Sequence, residues 1–456
     1  MSAAIIAQVT APGEPSPQPP ASGPAAEVAA WAASGAMWLT GPPDGPPLGP
    51  PAGLVPKLRA IGGLAVERAA ALGGRLHGPA EPLALLGQRA ALAGLARGGT
   101  VSCGGATRLL AAGDGWLAVA LARASDVELV PAWLESDPPG PDCAEPGQAD
   151  DAPAGERVWE AVAARVADLP AEAAVARARL LGLPAAVLPA APPPVAPAAP
   201  PLAALPLRAT AAAGPAAAPP PTLAGVMVAD LGSLWAGPLA GALLVAAGAR
   251  VVKVESTGRP DGARAGPAAF FDLLNAGKRS VALDLRTAAG THLLGELLAR
   301  ADVVIEASRP RALAQLGIDA EALLAGARPR VWVSITGHGR AHPQRDWTAF
   351  GDDAAVAGGL VSWHDGRPCF CADAVADPAS GLVAAAAALD ALATGGRWLL
   401  DVAMAGVAAH LAGPTLPAGD PPPAAPPPPV PSPPPGQAPA LGRHTAEVLA
   451  ELGLTS

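Results

Sequence analysis

The residues best suited to chemistry lie in and beside the stretch AVADPASGL, residues 374–382, which contains Asp377 and directly follows Asp373. Asp377 precedes Pro378 and an alanine-rich run, the pattern of a helix N-cap with proline at the first helical position. The amides and the dipole of a helix also keep a carboxylate at this place ionised and oriented. Such a group can attack an activated acyl group. The spacing leaves both roles open for Asp377, and the two roles are physically compatible.

A second candidate site is the turn DLGSLWAGPLAG, residues 230–241, which follows an apolar run of strand length. A dinucleotide-binding turn needs closely spaced glycines so that the backbone can approach a pyrophosphate. Here the glycines are spaced G-x4-G-x3-G, and Trp235 and Pro238 crowd the turn. The pattern favours an ordinary strand-to-helix connection, with Glu255 as a surface acid, over the site of an NAD-dependent dehydrogenase.

Other reactive side chains lack the spacing of a metal or hydrolase site. His338, His342 and His364 lie in or near a Gly/Pro-bearing loop, and no second ligand pair completes a metal site. Cys369 and Cys371, two residues apart in CFCA, are typical of a buried strand. The chain contains no G-x-S-x-G turn of a serine hydrolase. We therefore predict no metal.

Composition and charge exclude several classes of partner. The 456 residues carry a formal net charge of −9 without a basic patch, which argues against nucleic acid and anionic membranes as partners. Four cysteines in a chain of this length do not make a disulfide framework, which fits a reducing cytosol. The N-terminus lacks the basic segment of a signal peptide, and no apolar run reaches the about 18–20 residues that span a bilayer. We expect a soluble, cytoplasmic chain.

The elements that must position these residues are strands and helices in alternation. The apolar runs GVMVADL, ARVVKVE, SVALDL, DVVIEA and RVWVSITG have strand length. Apolar strands without polar alternation, separated by helices, indicate a parallel sheet covered on both faces. The predicted fold class is α/β, with a doubly wound, Rossmann-like parallel-sheet domain and a smaller α+β domain.

Dense proline tracts divide the chain, and such tracts form stiff, extended linkers. The predicted segments are a disordered N-terminus at 1–27, a helical and small α+β domain at 28–187, a Pro/Ala linker at 188–221, the large domain at 222–413, a Pro-rich linker at 414–439 and a C-terminal helix at 440–456. In the small domain, two strands are predicted around the turn Asp114-Gly115.

Several stretches of the large domain resemble the family III CoA-transferases, also called the CaiB/BaiF or formyl-CoA transferase-like group. The stretches are VMVADLGSLWAGPLAGALLVAAGARVVKVES, then FDLLNAGKRSVALDLRTAAGTHLLGELLARADVVIEASRPRALAQLGID, then VWVSITGHGR. The resemblance covers residues 222–405 nearly without a break, and PALGRHTAEVLAELGL is similar to the closing helix of the family. Motifs such as AGP, KVE, GKRS, LDL and ADVVIE are specific when they occur together in this order.

The resemblance implies a CoA transferase whose nucleophile is Asp377 rather than Asp373, because Asp377 begins the family's D-x-x-(S/T)-G helix. Its carboxylate would attack an acyl-CoA to give a mixed anhydride, CoA would then form an aspartyl thioester, and an acceptor carboxylic acid would recover CoA. The resemblance thus implies an acyl-CoA and a carboxylic acid as small-molecule partners, no tightly bound cofactor and a homodimer. The implied CoA contacts are Arg264, Lys278, Leu283 and Arg286.

Two alternatives within the same family stay open. An acyl-CoA racemase or isomerase of this family uses a His/Asp pair, and the corresponding loop WTAFGDDAAVAGG contains no histidine. A non-catalytic CoA-binding paralogue is favoured by Trp235, Ser256 and Ala307-Ser308, which replace the Gln, Arg and Asn-Phe of many members. Segments similar to the family's small domain, such as DGWLAVALARASDVELVPAWLE, precede the large domain instead of following it, so the resemblance implies a rearranged domain order.

Overall fold

A computed structural model describes residues 23–76, 82–135, 155–195, 202–419 and 425–454. The helices in these ranges are α1 (Pro24–Ala33), α2 (Leu54–Ala71), α3 (Gln88–Ala93), α4 (Ala124–Glu128), α5 (Val130–Leu134), α6 (Glu156–Val166), α7 (Ala171–Leu180), α8 (Ala236–Ala247), α9 (Ala268–Asn275), α10 (Ala288–Leu298), α11 (Pro310–Gln315), α12 (Ala320–Ala325), α13 (Gly351–Ala357), α14 (Ala376–Thr394), α15 (Met404–Leu411) and α16 (Thr445–Glu451). The strands are β1 (Thr107–Ala112), β2 (Gly115–Ala120), β3 (Ala185–Val187), β4 (Arg208–Ala211), β5 (Met227–Asp230), β6 (Arg250–Ser256), β7 (Arg279–Leu283), β8 (Val303–Glu306), β9 (Val331–Thr336), β10 (Val361–His364), β11 (Arg367–Phe370) and β12 (Trp398–Ala403).

A seven-stranded sheet is the framework of the larger α/β region. Its strand order is β4-β12-β9-β8-β5-β6-β7, and all pairs are parallel except the antiparallel edge pair of β4 and β12. The five strands predicted from the sequence correspond to β5 through β9, so the prediction of a mostly parallel sheet is confirmed. The chain runs from β5 to β6 and β7 and then returns to β8 on the other side of β5. The strand order therefore reverses between β5 and β8.

Helices cover both faces of this sheet. Successive residues of a strand point to opposite faces, and here both kinds are buried. One core holds Val228, Ile305 and Val333 of the sheet with Leu244 of α8 and Val383 of α14. The other core holds Ala229, Val304 and Trp332 with Leu294 of α10 and Val448 of α16. Burial on both faces explains why the strands show no polar alternation.

Helix α14 lies in the middle of the first core. It has 19 residues and is apolar enough to cross a membrane by length and composition, yet 89% of its most apolar stretch is buried inside the protein. A helix that is apolar all round is typical of such a buried position. Gly381 allows α8 to come close, because a Cβ there would lie 2.8 Å from the carbonyl oxygen of Ala236. The helix ends at Gly395, which has φ of 79°.

The smaller region contains the three-stranded antiparallel sheet β1-β2-β3. Strands β1 and β2 form the predicted hairpin, and the Asp114 carboxylate at its turn accepts a hydrogen bond from the N–H of Ala171 at 2.8 Å. Leu109 of this sheet packs with Val356 of α13 and Phe370 of β11. The small region therefore contacts the elements that carry the candidate site.

The structure differs from the predicted segments in three places. The predicted linker 188–221 contains β4, which pairs with β12, and an edge strand tolerates the neighbouring prolines that hide it in the sequence. In the predicted linker 414–439, Thr415 bridges to Pro51 and the N–H of Ala438 donates to Asp272 at 2.9 Å. Helix α1 begins at Pro24, inside the predicted disordered segment, whose residues 1–22 lie outside the described part of the chain.

Candidate active site

Four aspartates meet where α13, the loop after β11 and α14 come together. We call them the acidic cluster, which comprises Asp352 and Asp353 of α13, Asp373 of the loop and Asp377 of α14. The loop is tied to α13, because Oδ1 of Asp352 accepts a hydrogen bond from the N–H of Ala374 at 3.1 Å. The sequence separates these acids by up to 25 positions, and the fold brings them to one place.

Asp377 occupies the second position of α14, which corrects the prediction that it caps this helix. The helix begins at Ala376, and its N-cap Val375 makes no side-chain capping bond. The N–H of Asp377 donates to the carbonyl oxygen of Ala374 at 2.8 Å. Its carboxylate accepts a hydrogen bond from the N–H of Gly351. The carboxylate is therefore oriented by the start of the neighbouring helix α13 rather than by its own helix.

Asp377 is the most accessible member of the acidic cluster. Asp353 and Asp373 are 0% exposed and Asp352 is 9% exposed, whereas Asp377 is partly exposed. Burial raises the pKa of Asp377 to about 7, that of Asp352 to about 6 and that of Asp353 to about 8. At neutral pH, a substantial fraction of Asp377 is thus the carboxylate, while Asp353 is mostly protonated.

Gly351 is required by the contact between α13 and Asp377. A Cβ at this position would overlap both the Asp377 carboxylate and the carbonyl oxygen of Ala374. Any side chain here would displace the carboxylate or the loop that precedes it. The glycine therefore sets the distance between the hydrogen-bond donor and the acid.

The cation of the acidic cluster comes from the N-terminal region. Arg89 of α3 donates from Nε to Oδ2 of Asp373 at 2.9 Å and from Nη2 to Oδ1. Its guanidinium lies 5.4 Å from the centroid of the Trp235 ring. Asp373 is thus half of a bidentate ion pair, whereas no described cation lies within ion-pair distance of Asp377. This difference separates the two acids that the sequence spacing leaves unresolved.

A cavity of about 850 Å³ opens between the large sheet and the small region. Its size lies within the range of small-molecule pockets, about 300–1,000 Å³. Ligands of open α/β sheets bind outside the carboxyl ends of the strands where the strand order reverses, and the loops after β8 and β9 contribute to this cavity. Its lining includes Arg123, Ser125, Arg179, Arg309, Arg311 and Thr348.

The four arginines make this cavity suited to an anion. Arg123 is paired with Asp126, and Arg311 lies 3.8 Å from Asp346. The guanidinium of Arg309 makes no hydrogen bond or ion pair with any residue in the described ranges. Burial, followed by the charges of Arg311, Arg123 and a further arginine, lowers the pKa of Arg309. Like charges held together in this way favour the binding of an anion between them.

The segment 347–351 connects the cavity with the acidic cluster. Thr348 lines the cavity, and Trp347 lies under the guanidinium of Arg179, with 3.7 Å between Cζ and the ring centroid. The Phe350 ring lies 5.8 Å from Cζ of Arg123. The next residue, Gly351, donates to Asp377. The segment 347–351 therefore leads from the lining of the cavity to the residue that binds the Asp377 carboxylate.

Two of the predicted CoA contacts are held in ion pairs inside the large region. Lys278 is fully buried, and its Nζ donates to Asp230 at 2.8 Å and to two further acceptors. Arg264 forms a bidentate pair with Glu255 and lies 4.4 Å from the centroid of the Phe271 ring. Lys278 has no free donor for a diphosphate, so the geometry counts against its predicted role. The sequence shows the charge of Lys278 but not its burial.

The other two predicted CoA contacts lie at the end of β7. Leu283 is 4% exposed and belongs to the second core. Arg286 is exposed and pairs with Asp284 at 2.9 Å. Its guanidinium lies beside Gly258, and the next residue, Arg259, acts electrostatically on Arg309 of the cavity. Arg286 therefore stays a predicted CoA contact.

Three arginines of the site come from outside the large domain, and sequence reasoning missed them. Arg89, Arg123 and Arg179 all precede residue 222, and nothing in their local sequence points to Asp377. A usable signal existed for Arg309 and Arg311, because they directly follow β8, and loops at the carboxyl ends of parallel strands face the ligand.

The glycines of the turn 230–241, which the sequence offers as a candidate site, have structural roles. Gly232 and Gly237 pack against each other, since a Cβ on Gly237 would lie 2.8 Å from Cα of Gly232. Gly241 leaves room for the pair of Asp230 and Lys278. These close contacts explain the glycines of the turn after β5. Within the described ranges, no group of three or more His, Cys, Asp or Glu side chains is arranged to hold a metal ion.

Comparison with known proteins agrees with the motifs of the large region. Residues 223–444 match the model of CoA-transferase family III. The succinate–glutarate CoA-transferase of Agrobacterium fabrum is 34% identical over 206 residues, which are 40% of this chain and 51% of the relative. The formyl-CoA:oxalate CoA-transferase of Streptomyces avermitilis is 34% identical over 184 residues, 37% of this chain and 44% of the relative.

A crystal structure of a CaiB/BaiF family protein from Brucella suis is 32% identical and covers 41% of this chain and 54% of that one, with a TM-score of 0.37. The chain spans about half the length of the curated relatives that it matches. The sequence match and the ordered motifs agree. Residues 223–444, just under half of the chain, are similar to CoA-transferase family III.

Proposed function

We propose that this protein transfers CoA between an acyl-CoA thioester and a carboxylic acid, with Asp377 as the nucleophile. The observation that carries the proposal is the partly exposed Asp377 carboxylate, which accepts a hydrogen bond from the N–H of Gly351, three residues after Thr348 of the arginine-lined cavity. The names of the two relatives contain succinate, glutarate, formyl-CoA and oxalate. We therefore propose short-chain carboxylic acids as the substrate class.

In this proposal, the cavity binds the phosphates of CoA. Arg309 and Arg311 face the cavity, and guanidinium groups bind phosphate through two parallel hydrogen bonds. Arg309 has no described partner, so its donors are available without the loss of an existing ion pair. The pantetheine arm would follow the segment 347–351 towards Asp377.

The first half of the reaction transfers the acyl group to the enzyme. A carboxylate oxygen of Asp377 attacks the thioester carbonyl, the C–S bond breaks, and CoA leaves as a thiolate. The product is a mixed anhydride between Asp377 and the acyl group. The thiolate then attacks the Asp377 carbonyl carbon of the anhydride. This step releases the first carboxylate and leaves CoA bound to Asp377 as a thioester.

The second half repeats these steps in reverse order with the acceptor. The acceptor carboxylate attacks the aspartyl thioester, which gives a new anhydride and the CoA thiolate. The thiolate attacks the acyl carbonyl of that anhydride, which yields the new acyl-CoA and regenerates the Asp377 carboxylate. Every step exchanges one nucleophile for one leaving group, so no net proton is needed.

The protonation state of the acidic cluster fits this sequence of steps. A nucleophilic Asp377 must be ionised, and nearby anions oppose its ionisation. Because burial raises the pKa of Asp353 to about 8, this neighbour is mostly neutral at pH 7. The charge of Asp373 is already matched by Arg89. These two features limit the negative potential at Asp377.

One observation supports a second candidate function, an acyl-CoA racemase or isomerase of the same family. Asp353 and Asp377 offer a protonated and an ionisable carboxyl group in one cluster. Such a pair can remove and return a proton at the carbon next to a thioester. Incorporation of solvent deuterium at that carbon, without any acceptor acid, would distinguish this function from CoA transfer.

Hydroxylamine trapping tests the transferase proposal. The protein is incubated with a panel of short-chain acyl-CoA thioesters and hydroxylamine, and its peptides are mapped by mass spectrometry. Hydroxylamine converts an aspartyl anhydride or thioester into a hydroxamate, so we expect this mass change at Asp377. The D377N variant should show no adduct and no transfer of CoA to an added acid.

The matched control is D365N. Asp365 is exposed in the turn between β10 and β11 with φ of 48°, a conformation that asparagine also adopts readily. We expect D365N to react like the unchanged protein. An adduct at Asp373, or no adduct with any thioester of the panel, would overturn the assignment of the nucleophile and with it the proposed function.

We also propose a homodimer in a reducing, cytoplasmic environment. Cys103, Cys369 and Cys371 are free thiols, which is usual for proteins of a reducing compartment. Light scattering coupled to gel filtration tests the oligomer: a mass near twice 44.6 kDa is expected, and a monomer at all concentrations would contradict it.

A further inference from the structure

The loop that carries Asp373 has a strained backbone. Ala372 and Ala374 have φ of 54° and 42°, the left-handed region that alanine rarely adopts. Strain of this kind persists only where the surroundings hold the backbone in place. The N–H of Asp377 donates to the carbonyl oxygen of Ala374, so the strained loop leads directly into the candidate nucleophile.

Contacts from the N-terminal region hold this loop. Oγ1 of Thr40 accepts a hydrogen bond from the N–H of Ala372 at 3.0 Å. The thiol of Cys103 donates to the carbonyl oxygen of Ala372 at 3.4 Å. Both residues lie outside the region 223–444 that matches the family model. The N-terminal region therefore acts on the geometry of the active-site loop.

Arg89 is the strongest of these contacts. It binds both oxygens of Asp373, which is 0% exposed. The Trp235 ring covers its guanidinium on one side, and the side chain of Arg89 keeps an exposed fraction of 32%. A planar guanidinium can make this bidentate contact, whereas a lysine ammonium cannot reproduce its geometry.

Arg89 also supplies positive charge to the rest of the acidic cluster. Its charge lowers the pKa of Asp377 and of Asp352, against the effect of burial. Two other groups act on the cluster. Arg179 acts electrostatically on Asp353, and burial raises the pKa of the Cys103 thiol, which keeps this thiol neutral.

We infer that Arg89 is a positioning residue for the proposed transfer: it holds the strained loop through Asp373 and supplies the positive charge that favours the Asp377 carboxylate. The inference rests on the proposed role of Asp377 as nucleophile. It gives the N-terminal region, which the family model does not match, a defined task in the site. Arg89 acts through Asp373 and does not touch the reacting atoms.

The test combines three variants with a readout that does not depend on turnover. R89M removes the charge and the bidentate contact. R89K keeps the charge but loses the bidentate contact. The double variant R89M/D373N removes both partners together and leaves no unpaired buried charge, which preserves the fold if R89M alone is too unstable.

Aspartate labelled with carbon-13 at its carboxyl carbon reports the titration of Asp377 by NMR, and the missing signal of D377N assigns it. In R89M, we expect the titration midpoint of Asp377 to rise by about one pH unit or more. In R89K, the midpoint should stay near that of the unchanged protein. R300K, a change in the surface pair of Arg300 and Glu296, is the control and should change nothing.

Single-turnover formation of the Asp377 adduct is the second readout. R89K and R89M/D373N should both form the adduct at least about tenfold more slowly, because the loop is no longer held in place. Acyl-CoA affinity should stay unchanged in all variants. An Asp377 midpoint that does not move in R89M, or a normal rate in R89K and R89M/D373N, would overturn the inference.

The two hypotheses fail in different ways. If the unchanged protein forms no adduct, the proposed function is wrong, and the NMR titration still decides whether Arg89 controls Asp377. If D377N alone abolishes the reaction while the Arg89 variants behave normally, the proposed function stands and the inference about Arg89 is wrong.

Discussion

Among the buried charged side chains of the described residues, two groups differ in charge balance. The first, the balanced cluster, consists of three ion pairs inside the large region: Lys253 with Asp261, Lys278 with Asp230 and Arg264 with Glu255. The second, the acidic cluster, has four aspartates and one contacting arginine, Arg89. Each cation of the balanced cluster has its own carboxylate, whereas the acidic cluster contains a surplus of acid.

This difference separates structural charge from candidate catalytic charge. Buried charges that are fully paired and hydrogen-bonded have little capacity to bind a ligand. Surplus carboxyl groups instead shift their pKa values upward, and such shifts are concentrated at functional sites. Asp377 combines a raised pKa with partial exposure. The three carboxylates of the balanced cluster are all buried, which directs the functional interpretation to the acidic cluster.

The largest expected effect comes from breaking the balanced cluster. K278M would leave the Asp230 carboxylate buried and without its cation, and loss of one partner of a buried pair destabilises a protein by about 3–5 kcal/mol. Urea unfolding followed by circular dichroism measures this change. R300M, in an exposed pair, is the control and should leave the unfolding midpoint unchanged. Equal midpoints for K278M and the unchanged protein would show that the pair contributes no stability.

The second prediction disturbs the acidic cluster without removing a charge. In G351A, the new methyl group would overlap the Asp377 carboxylate. Misplacement of a reacting group by about 1 Å lowers a rate by about 10²-fold, and we expect this loss in adduct formation at Asp377. The control is G63A on α2, where a Cβ meets nothing within 4 Å. A G351A protein with normal rate would show that the position of Asp377 is not critical.

The two clusters also show how far the sequence predicts this molecule. The parallel strands and the end of α14 at Gly395 follow from local patterns of apolar residues and glycine, and both were predictable. The role of Lys278 in a buried ion pair was not predictable, because its burial depends on the packing of Gly241 and Asp230 from other elements. Charge is visible in a sequence, while the partner of a charge is a property of the fold.

The same reasoning explains what was missed at the candidate site. Asp377 could be selected from its motif, but its hydrogen bond to Gly351 and its neighbours Asp352 and Arg89 come from distant segments. The edge strand β4 was hidden among prolines for a related reason. Its pairing with β12 depends on a partner 191 residues away, as in the pair of Leu400 and Ala209. Local patterns cannot report such long-range contacts.

The third prediction concerns pH and the acidic cluster. Burial raises the pKa of Asp353 from 3.8 to about 8, so the folded state holds this proton more tightly than the unfolded state does. Stability must therefore fall as pH rises from about 4 to about 8, by up to about 1.4 kcal/mol per pH unit for this group. D353N cannot ionise, and it keeps an oxygen that accepts from the Phe350 N–H, as Oδ1 does now.

Urea unfolding at several pH values between 5 and 8 measures this effect. The free energy of unfolding of D353N, relative to that of the unchanged protein, should increase with each step to higher pH. Asp352 and Asp377 also carry raised pKa values, so some slope should remain in the variant. Two parallel stability curves would show that Asp353 titrates as it does in the unfolded chain.

The smallest expected effect concerns Arg286, which belongs to neither cluster. This arginine is exposed, and its carboxylate partner Asp284 is also in contact with solvent, so R286A should leave the urea midpoint unchanged. If Arg286 contacts CoA, calorimetry should show about fivefold weaker CoA binding in R286A. The same variant should bind 3′-dephospho-CoA like the unchanged protein if the contact is with the 3′-phosphate.

R309A, inside the cavity, should weaken the binding of both ligands, because the predicted partner of Arg309 is the diphosphate. Normal CoA affinity in R286A together with weak binding in R309A would show that the Arg286 contact is wrong and that the cavity alone holds the phosphates.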